Sequence, residues 1–69
     1  MIRKGTTVQW KWGAGIVKGK VKETYTSTIT KTIKGTEVKR HGKSGNKALV
    51  IEQDNGDYIL KSESEVQRV

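Results

Sequence analysis

The 69-residue sequence contains no cysteine, no proline and no phenylalanine. Without cysteine, neither a disulfide framework nor a thiolate metal site can supplement a small hydrophobic core. Secreted domains of this length usually depend on such a staple, so its absence favours a cytoplasmic protein. A chain of this length is expected to form one domain, residues 1–69, with no room for an enclosed active-site cavity of ordinary size.

Long apolar runs are also absent. The longest unbroken aliphatic segment is Ala48–Ile51, far shorter than the ~20 residues needed to cross a bilayer. The basic N-terminal residues are not followed by the apolar stretch of a signal peptide. We therefore expect a cytoplasmic protein that does not contact a membrane.

Residues suited to catalysis are scarce. His41 is the only histidine, and it lacks the convergent partners that nucleophilic or metal chemistry requires. Two segments, Gly13–Gly19 and Gly42–Ser44, superficially resemble phosphate-binding turns. The first leads into a strand-like pattern and not a helix, and the second has Glu37 where the earlier glycine should stand. We expect a non-enzymatic protein with no catalytic residues, no metal, no cofactor and no small-molecule substrate.

The hydrophobic pattern that is present has a period of two, which predicts β-strands. Val8, Trp10 and Trp12 alternate with polar residues and would line one face of a first strand, which Gly13–Gly15 ends. Of the two tryptophans, Trp10 is expected in the core, because a domain with four aromatic residues needs its central one there.

A second strand follows with a basic outer surface. Val17, Val21 and Tyr25 are predicted to share one face with Gly19, which indicates a bend or bulge. The opposite face carries three lysines, Lys18, Lys20 and Lys22.

The remaining segments also favour short strands. The threonine-rich stretch 24–36 predicts a polar hairpin or mobile loop, and Val38 begins a short strand after it. Residues 47–53 and 58–61 flank an Asn-Gly turn, a strong hairpin signal. Ser62 and Glu65 have the spacing of a capping box, before a short closing strand. The pattern predicts an all-β fold: a small five-stranded barrel with one short helical turn near the C-terminus.

Positive charge is segregated along the chain. Up to Lys47 there are 12 basic and 2 acidic residues (+10), whereas the remainder has 2 basic and 5 acidic residues (−3). We therefore hypothesise that the partner is nucleic acid, DNA or RNA, bound through its phosphates, with an exposed ring stacking on a base. The candidate binding residues are Lys18, Lys20, Lys22, Lys39, Arg40, Lys43 and Trp12. Strand lysines also serve solubility and discourage edge pairing, and this alternative stays open.

Three segments resemble one known family. The opening Lys4–Gly15, with the pattern KGxxVxWKWGxG, the middle Ile33–Arg40, and the ending Ile51–Asp57 with Leu60–Val66 are similar to the hypervirulence-associated Tudor-like domain family of bacteria and fungi. The resemblance implies an SH3-like (Tudor-like) barrel and supplies no catalytic residues.

One departure from the family bears on function. The family often has Pro-Ala-Tyr where this chain has Lys47–Leu49. With four aromatic residues in all, a complete aromatic cage for a methylated lysine is not expected. The alternative function is a protein–protein interaction module that takes a peptide at a sheet edge or loop cleft, with Trp12 and the threonine-rich stretch at its surface. In either case we expect a monomer.

Overall fold

The computed structural model describes residues 2–69, which form seven β-strands in two antiparallel sheets and one 3₁₀ turn. One sheet has the strand order β6-β5-β2-β1-β7, and the other contains β3 and β4. The elements are β1 (Thr7–Trp12), β2 (Gly15–Tyr25), β3 (Thr28–Ile33), β4 (Thr36–His41), β5 (Ala48–Gln53), β6 (Tyr58–Ser62), the 3₁₀ turn (Glu63–Glu65) and β7 (Gln67–Arg68).

The expected all-β class is confirmed, but the expected five-stranded closed barrel is not. Over residues 2–69, the strands form no closed barrel, because β6 and β7 stand at opposite edges of the larger sheet. The strand number exceeds five because the threonine-rich segment forms β3 and the start of a regular hairpin. Threonine is β-branched and fits a pleated strand, so a polar sequence can still pair throughout.

The long strand β2 contains a bulge that changes which side chains face the core. Val21 lies opposite Ile51, but the next paired residue, Glu23, lies opposite Val50, so Lys22 is the extra residue. Tyr25 therefore lies opposite Ala48 and does not share the face of Val21, contrary to the expectation from simple alternation.

Gly19 is needed for close packing at a point upstream of this bulge. A Cβ at Gly19 would lie 2.5 Å from Ile51 Cγ2 and 2.8 Å from the carbonyl oxygen of Glu52. The glycine thus lets β2 and β5 approach over the core.

The core lies on one side of the larger sheet. Two half-buried aliphatic residues, Val17 and Ile59, pack against one cluster of buried residues. The cluster consists of Ile2, Val8, Trp10, Val21, Leu49, Ile51 and Val66. Ala48, Val50 and Leu60 are also buried, although alternation along β5 and β6 directs them to the opposite side from Leu49 and Ile51.

The β3–β4 hairpin contacts β6 and forms an ion pair with another part of the chain near each of its ends. Near its tip, Lys34 Nζ lies 2.7 Å from Asp57 Oδ2 in the β5–β6 turn. Near its base, Arg40 Nε donates to Glu65 Oε1 in the 3₁₀ turn over 2.8 Å. These two ion pairs hold the hairpin along the edge strand β6.

The predicted turns are confirmed. Gly56 has φ +89° in the Asn-Gly turn, and the Asp57 N–H donates to Asn55 Oδ1 over 2.9 Å. The Ser62 N–H donates to Glu65 Oε1 over 2.9 Å in the predicted capping box. Over residues 2–69, no helix is long and apolar enough to cross a membrane.

Candidate nucleic-acid interface

Three lysines lie together on the face of the larger sheet away from the core, in the part formed by β1 and β2. Lys18 and Lys20 of β2 lie opposite Gln9 and Thr7 of β1, on the face away from the core. Lys11 of β1 alternates with the two tryptophans and shares that face. All three side chains are exposed, and none forms an ion pair with another described residue. We call Lys11, Lys18 and Lys20 the lysine face.

The spacing within the lysine face suits a chain of phosphates. Lys18 and Lys20 are two residues apart on one strand, so their Cα atoms are separated by ~6.6–6.8 Å. Lys11 lies opposite Ile16 and is therefore a diagonal neighbour of Lys18. Three lysines at neighbouring positions on two paired β-strands can contact successive phosphates of one nucleic-acid strand.

Lys22 belongs to a different arrangement. It is the extra residue of the bulge, is half-buried, and places Nζ 3.2 Å from Glu52 Oε1. Glu52 lies opposite Lys20, and it is the carboxylate in register with the lysine face. Because Glu52 is paired with Lys22, Lys20 has no anionic partner among residues 2–69.

The other predicted basic residues lie on the hairpin and the loop after it. Lys39 and Arg40 are consecutive in β4 and so face opposite sides of the hairpin. Arg40 donates to Glu65 and to the carbonyl of Lys39, whereas Lys39 lies opposite Thr30 and is exposed. Lys43 is exposed in a tight turn, in which it exchanges backbone hydrogen bonds with Asn46. The structure therefore does not place the seven predicted residues on one sheet face.

Glu65 explains why Arg40 is engaged. Burial alone would raise the pKa of the Glu65 carboxyl. Hydrogen bonds from Arg40 and from the Ser62 N–H, with the positive charges of Arg40 and Lys61, outweigh burial and hold the pKa below its ordinary value. Arg40 is thus an ion-pair partner that fastens the hairpin.

Trp12 and Trp10 have opposite environments, although they share a strand. Trp10 is 7% exposed and packs in the core, as expected, whereas Trp12 is 73% exposed at the end of β1. Trp12 stands beside a groove of about 380 Å³, whose aliphatic lining includes Val17, Ile33 and Ile59. An exposed indole next to an apolar groove can stack on a planar ligand or hold an apolar side chain.

Two residues of this region were missed by the sequence-based prediction. Lys11 could have been found, because the alternation that directs Trp10 and Trp12 to one face directs Lys11 to the other. Gln53 at the end of β5 also lines the groove. A lone glutamine at a strand end carries no sequence signal for such a position.

The comparisons with known proteins identify one family. The sequence profile described as hypervirulence associated proteins TUDOR domain matches residues 5–66. The chain belongs to this family. Neither a curated protein nor a solved structure matches it.

Membership of this Tudor family indicates a binding module of a generally non-catalytic kind. The lysine face, the bulge and the Trp12 groove all lie within the matched residues of the Tudor domain. The family match is therefore compatible with either candidate surface as the binding site.

Proposed function

We propose that this Tudor domain binds nucleic acid through phosphates at the lysine face. The observation that carries the proposal is the placement of three exposed lysines on adjacent strands of one sheet face, where none has a carboxylate partner in the described part of the chain. A cation that already has an anionic partner gains little from a phosphate, whereas an exposed unpaired lysine releases counterions on binding.

The other basic residues have different parts in this proposal. Lys22 and Arg40 neutralise Glu52 and Glu65 and serve the fold. Lys39 and Lys43, exposed on the hairpin and in the loop after it, are the candidates for additional contacts with a longer nucleic acid.

We further infer that the larger sheet is the SH3-like unit of the domain. Its strands β1, β2, β5 and β6 follow one another in space, and β7 returns to β1. The β3–β4 hairpin is then an insertion between the second and third strands of this unit.

The first prediction concerns salt dependence. If three phosphates are neutralised, duplex affinity should fall about 40-fold between 50 and 200 mM salt, because the slope is about −0.9 per contact. The double variant Lys18→Gln/Lys20→Gln should reduce that slope by about 1.8. Fluorescence anisotropy with a labelled duplex measures both quantities.

Lys31→Gln is the matched control, since Lys31 is another exposed lysine, lies in β3 and forms no ion pair within residues 2–69. It should leave the slope nearly unchanged. A slope that falls equally in Lys20→Gln and Lys31→Gln would show that net charge matters and not the sheet face. No binding at 50 mM salt would exclude the proposal altogether.

The rival function is recognition of a protein segment, and the exposed Trp12 beside its groove is the observation that favours it. Such a complex should persist at salt concentrations that dissociate a polyanion, because apolar burial is not screened. Trp12→Ala should then weaken binding more than Lys20→Gln does.

A further inference from the structure

The Trp12 groove lies on the other side of the larger sheet from the lysine face and is connected to it at one of the three lysines, Lys18. A second, shallower depression of about 280 Å³ lies next to it and is lined in part by Lys18, Ile16 and the carboxylate residue Asp54. The two depressions share Val17, Gln53 and Asn55. A ligand on Lys18 can therefore reach Trp12 without leaving the surface of the protein.

Gln53 offers the polar contacts at the junction of the two depressions. Its side chain is half-buried and makes no hydrogen bond with another described residue. Asn55, by contrast, is occupied by Asp57, accepting from its N–H at 2.9 Å and donating to its carboxylate at 3.2 Å. Gln53 thus keeps both an N–H donor and a carbonyl acceptor for a ligand.

The groove is lined by two lysines and one carboxylate, and both lysines have anionic partners: Lys61 Nζ lies 3.8 Å from Glu65 Oε2. Lys34 Nζ lies 2.7 Å from Asp57 Oδ2 and neutralises that carboxylate. The walls add aliphatic surface from Val17, Ile33 and Ile59. A neutral, planar group with polar edges fits this combination of an indole, aliphatic walls and one free carboxamide.

From this geometry we infer that the Trp12 groove takes one unpaired base of a single-stranded nucleic acid whose neighbouring phosphates lie on the lysine face. The inference rests on the proposed function. The base stacks on the Trp12 indole, and the Gln53 carboxamide hydrogen-bonds to its edge. A duplex offers its phosphates but keeps its bases stacked and paired, and extracting one costs a few kcal/mol. The domain should therefore prefer single strands to duplexes of the same sequence.

The second prediction tests this groove with Trp12→Ala. Loss of one stacking contact should weaken binding of a short single-stranded oligonucleotide roughly 5- to 150-fold, with duplex affinity unchanged. Trp12→Phe should keep most of the affinity. In the wild type, binding of the single strand should quench the fluorescence of the exposed Trp12 far more than binding of the duplex does.

Tyr58→Ala is the control for aromatic loss. Tyr58 is 44% exposed, lies opposite Glu52 on the sheet face, and does not line the groove. It should leave single-strand affinity unchanged. If Tyr58→Ala costs as much as Trp12→Ala, the base lies on the sheet face and the groove assignment is wrong.

The two proposals can fail separately. If Trp12→Ala has no effect while Lys18→Gln/Lys20→Gln still weakens both nucleic acids, the groove inference is wrong and the phosphate-binding function stands. If the wild type binds neither nucleic acid at 50 mM salt, both are wrong. Unchanged thermal unfolding of Trp12→Ala, Trp12→Phe and Tyr58→Ala would show that these comparisons concern folded proteins.

Discussion

At the scale of single residues, Gly42 is the glycine with the least room for a side chain. A Cβ there would collide with the carbonyl oxygens of Tyr25 and Ser27 and would lie 3.0 Å from the backbone nitrogen of Ala48. The Gly42 N–H also donates to the Ser27 carbonyl over 3.1 Å. Gly42 therefore allows the end of the β3–β4 hairpin to pack against the ends of β2 and β5.

The third prediction is that Gly42→Ala destabilises the domain strongly. Overpacking usually costs about 1–3 kcal/mol, and the upper end is expected because the obstructing atoms belong to the backbone. Urea unfolding measures the change in free energy of unfolding. Gly15→Ala is the control: the nearest atom to a Cβ there is 3.9 Å away, so the change should stay within about 0.5 kcal/mol. Equal effects at both positions would contradict the packing argument.

At the scale of elements, the β3–β4 hairpin depends on a carboxylate from another part of the chain. Glu65 joins the hairpin to the 3₁₀ turn, accepting from Arg40 of β4 and from the Ser62 N–H. Because the pKa of Glu65 is lowered in the folded state, its ionised form stabilises the domain above the unfolded pKa of ~4.3. That contribution is lost as the pH falls through the lowered folded pKa.

The fourth prediction follows from this sign. Glu65→Gln should be less stable than the wild type at pH 7 and should lose less stability than the wild type between pH 5 and pH 3. Urea unfolding at these three pH values measures the difference. Glu37→Gln removes a carboxylate of β4 that has no described ion pair and should retain the wild-type loss. An identical acid loss in Glu65→Gln and the wild type would contradict the role of this carboxylate.

The elements also show what the sequence could predict. Strand β1 alternates strictly, the β5–β6 hairpin has an Asn-Gly turn, and the capping box is marked by residues three apart, so each is fixed by local chemistry. The bulge at Lys22 depends on which residues of β5 pair with β2. That pairing joins segments about 30 residues apart, and no local pattern reveals it.

The same distinction applies to the candidate site. Lys18 and Lys20 were predicted to face solvent from alternation alone, and they do. The engagement of Arg40 could not be predicted, because its partner Glu65 lies 25 residues away along the chain. Lys22 was misplaced for the same reason, since the bulge brings its ammonium group to Glu52.

At the scale of the whole molecule, the net charge is +7, and the internal ion pairs leave part of this positive charge on the lysine face. Four carboxylates, those of Glu23, Glu52, Asp57 and Glu65, are each held by a lysine or arginine. The cations of the lysine face are then left without local neutralisation, and their mutual repulsion destabilises the folded state. A bound polyanion relieves this repulsion in the folded state, because only the folded domain brings the three lysines together.

The fifth prediction is that a single-stranded oligonucleotide raises the melting temperature of the domain. At a ligand concentration of 100 Kd, binding to the native state alone adds about 2.7 kcal/mol, which corresponds to about 10–20 °C for a domain of this size. Differential scanning calorimetry with and without the oligonucleotide measures the shift. Lys18→Gln/Lys20→Gln at the same oligonucleotide concentration should show a smaller one, because its Kd is higher. A destabilising shift in the wild type would mean that the unfolded chain, which carries the same lysines without their arrangement, binds the polyanion more tightly than the folded domain does. The arrangement of the lysines on the sheet would then have no part in recognition.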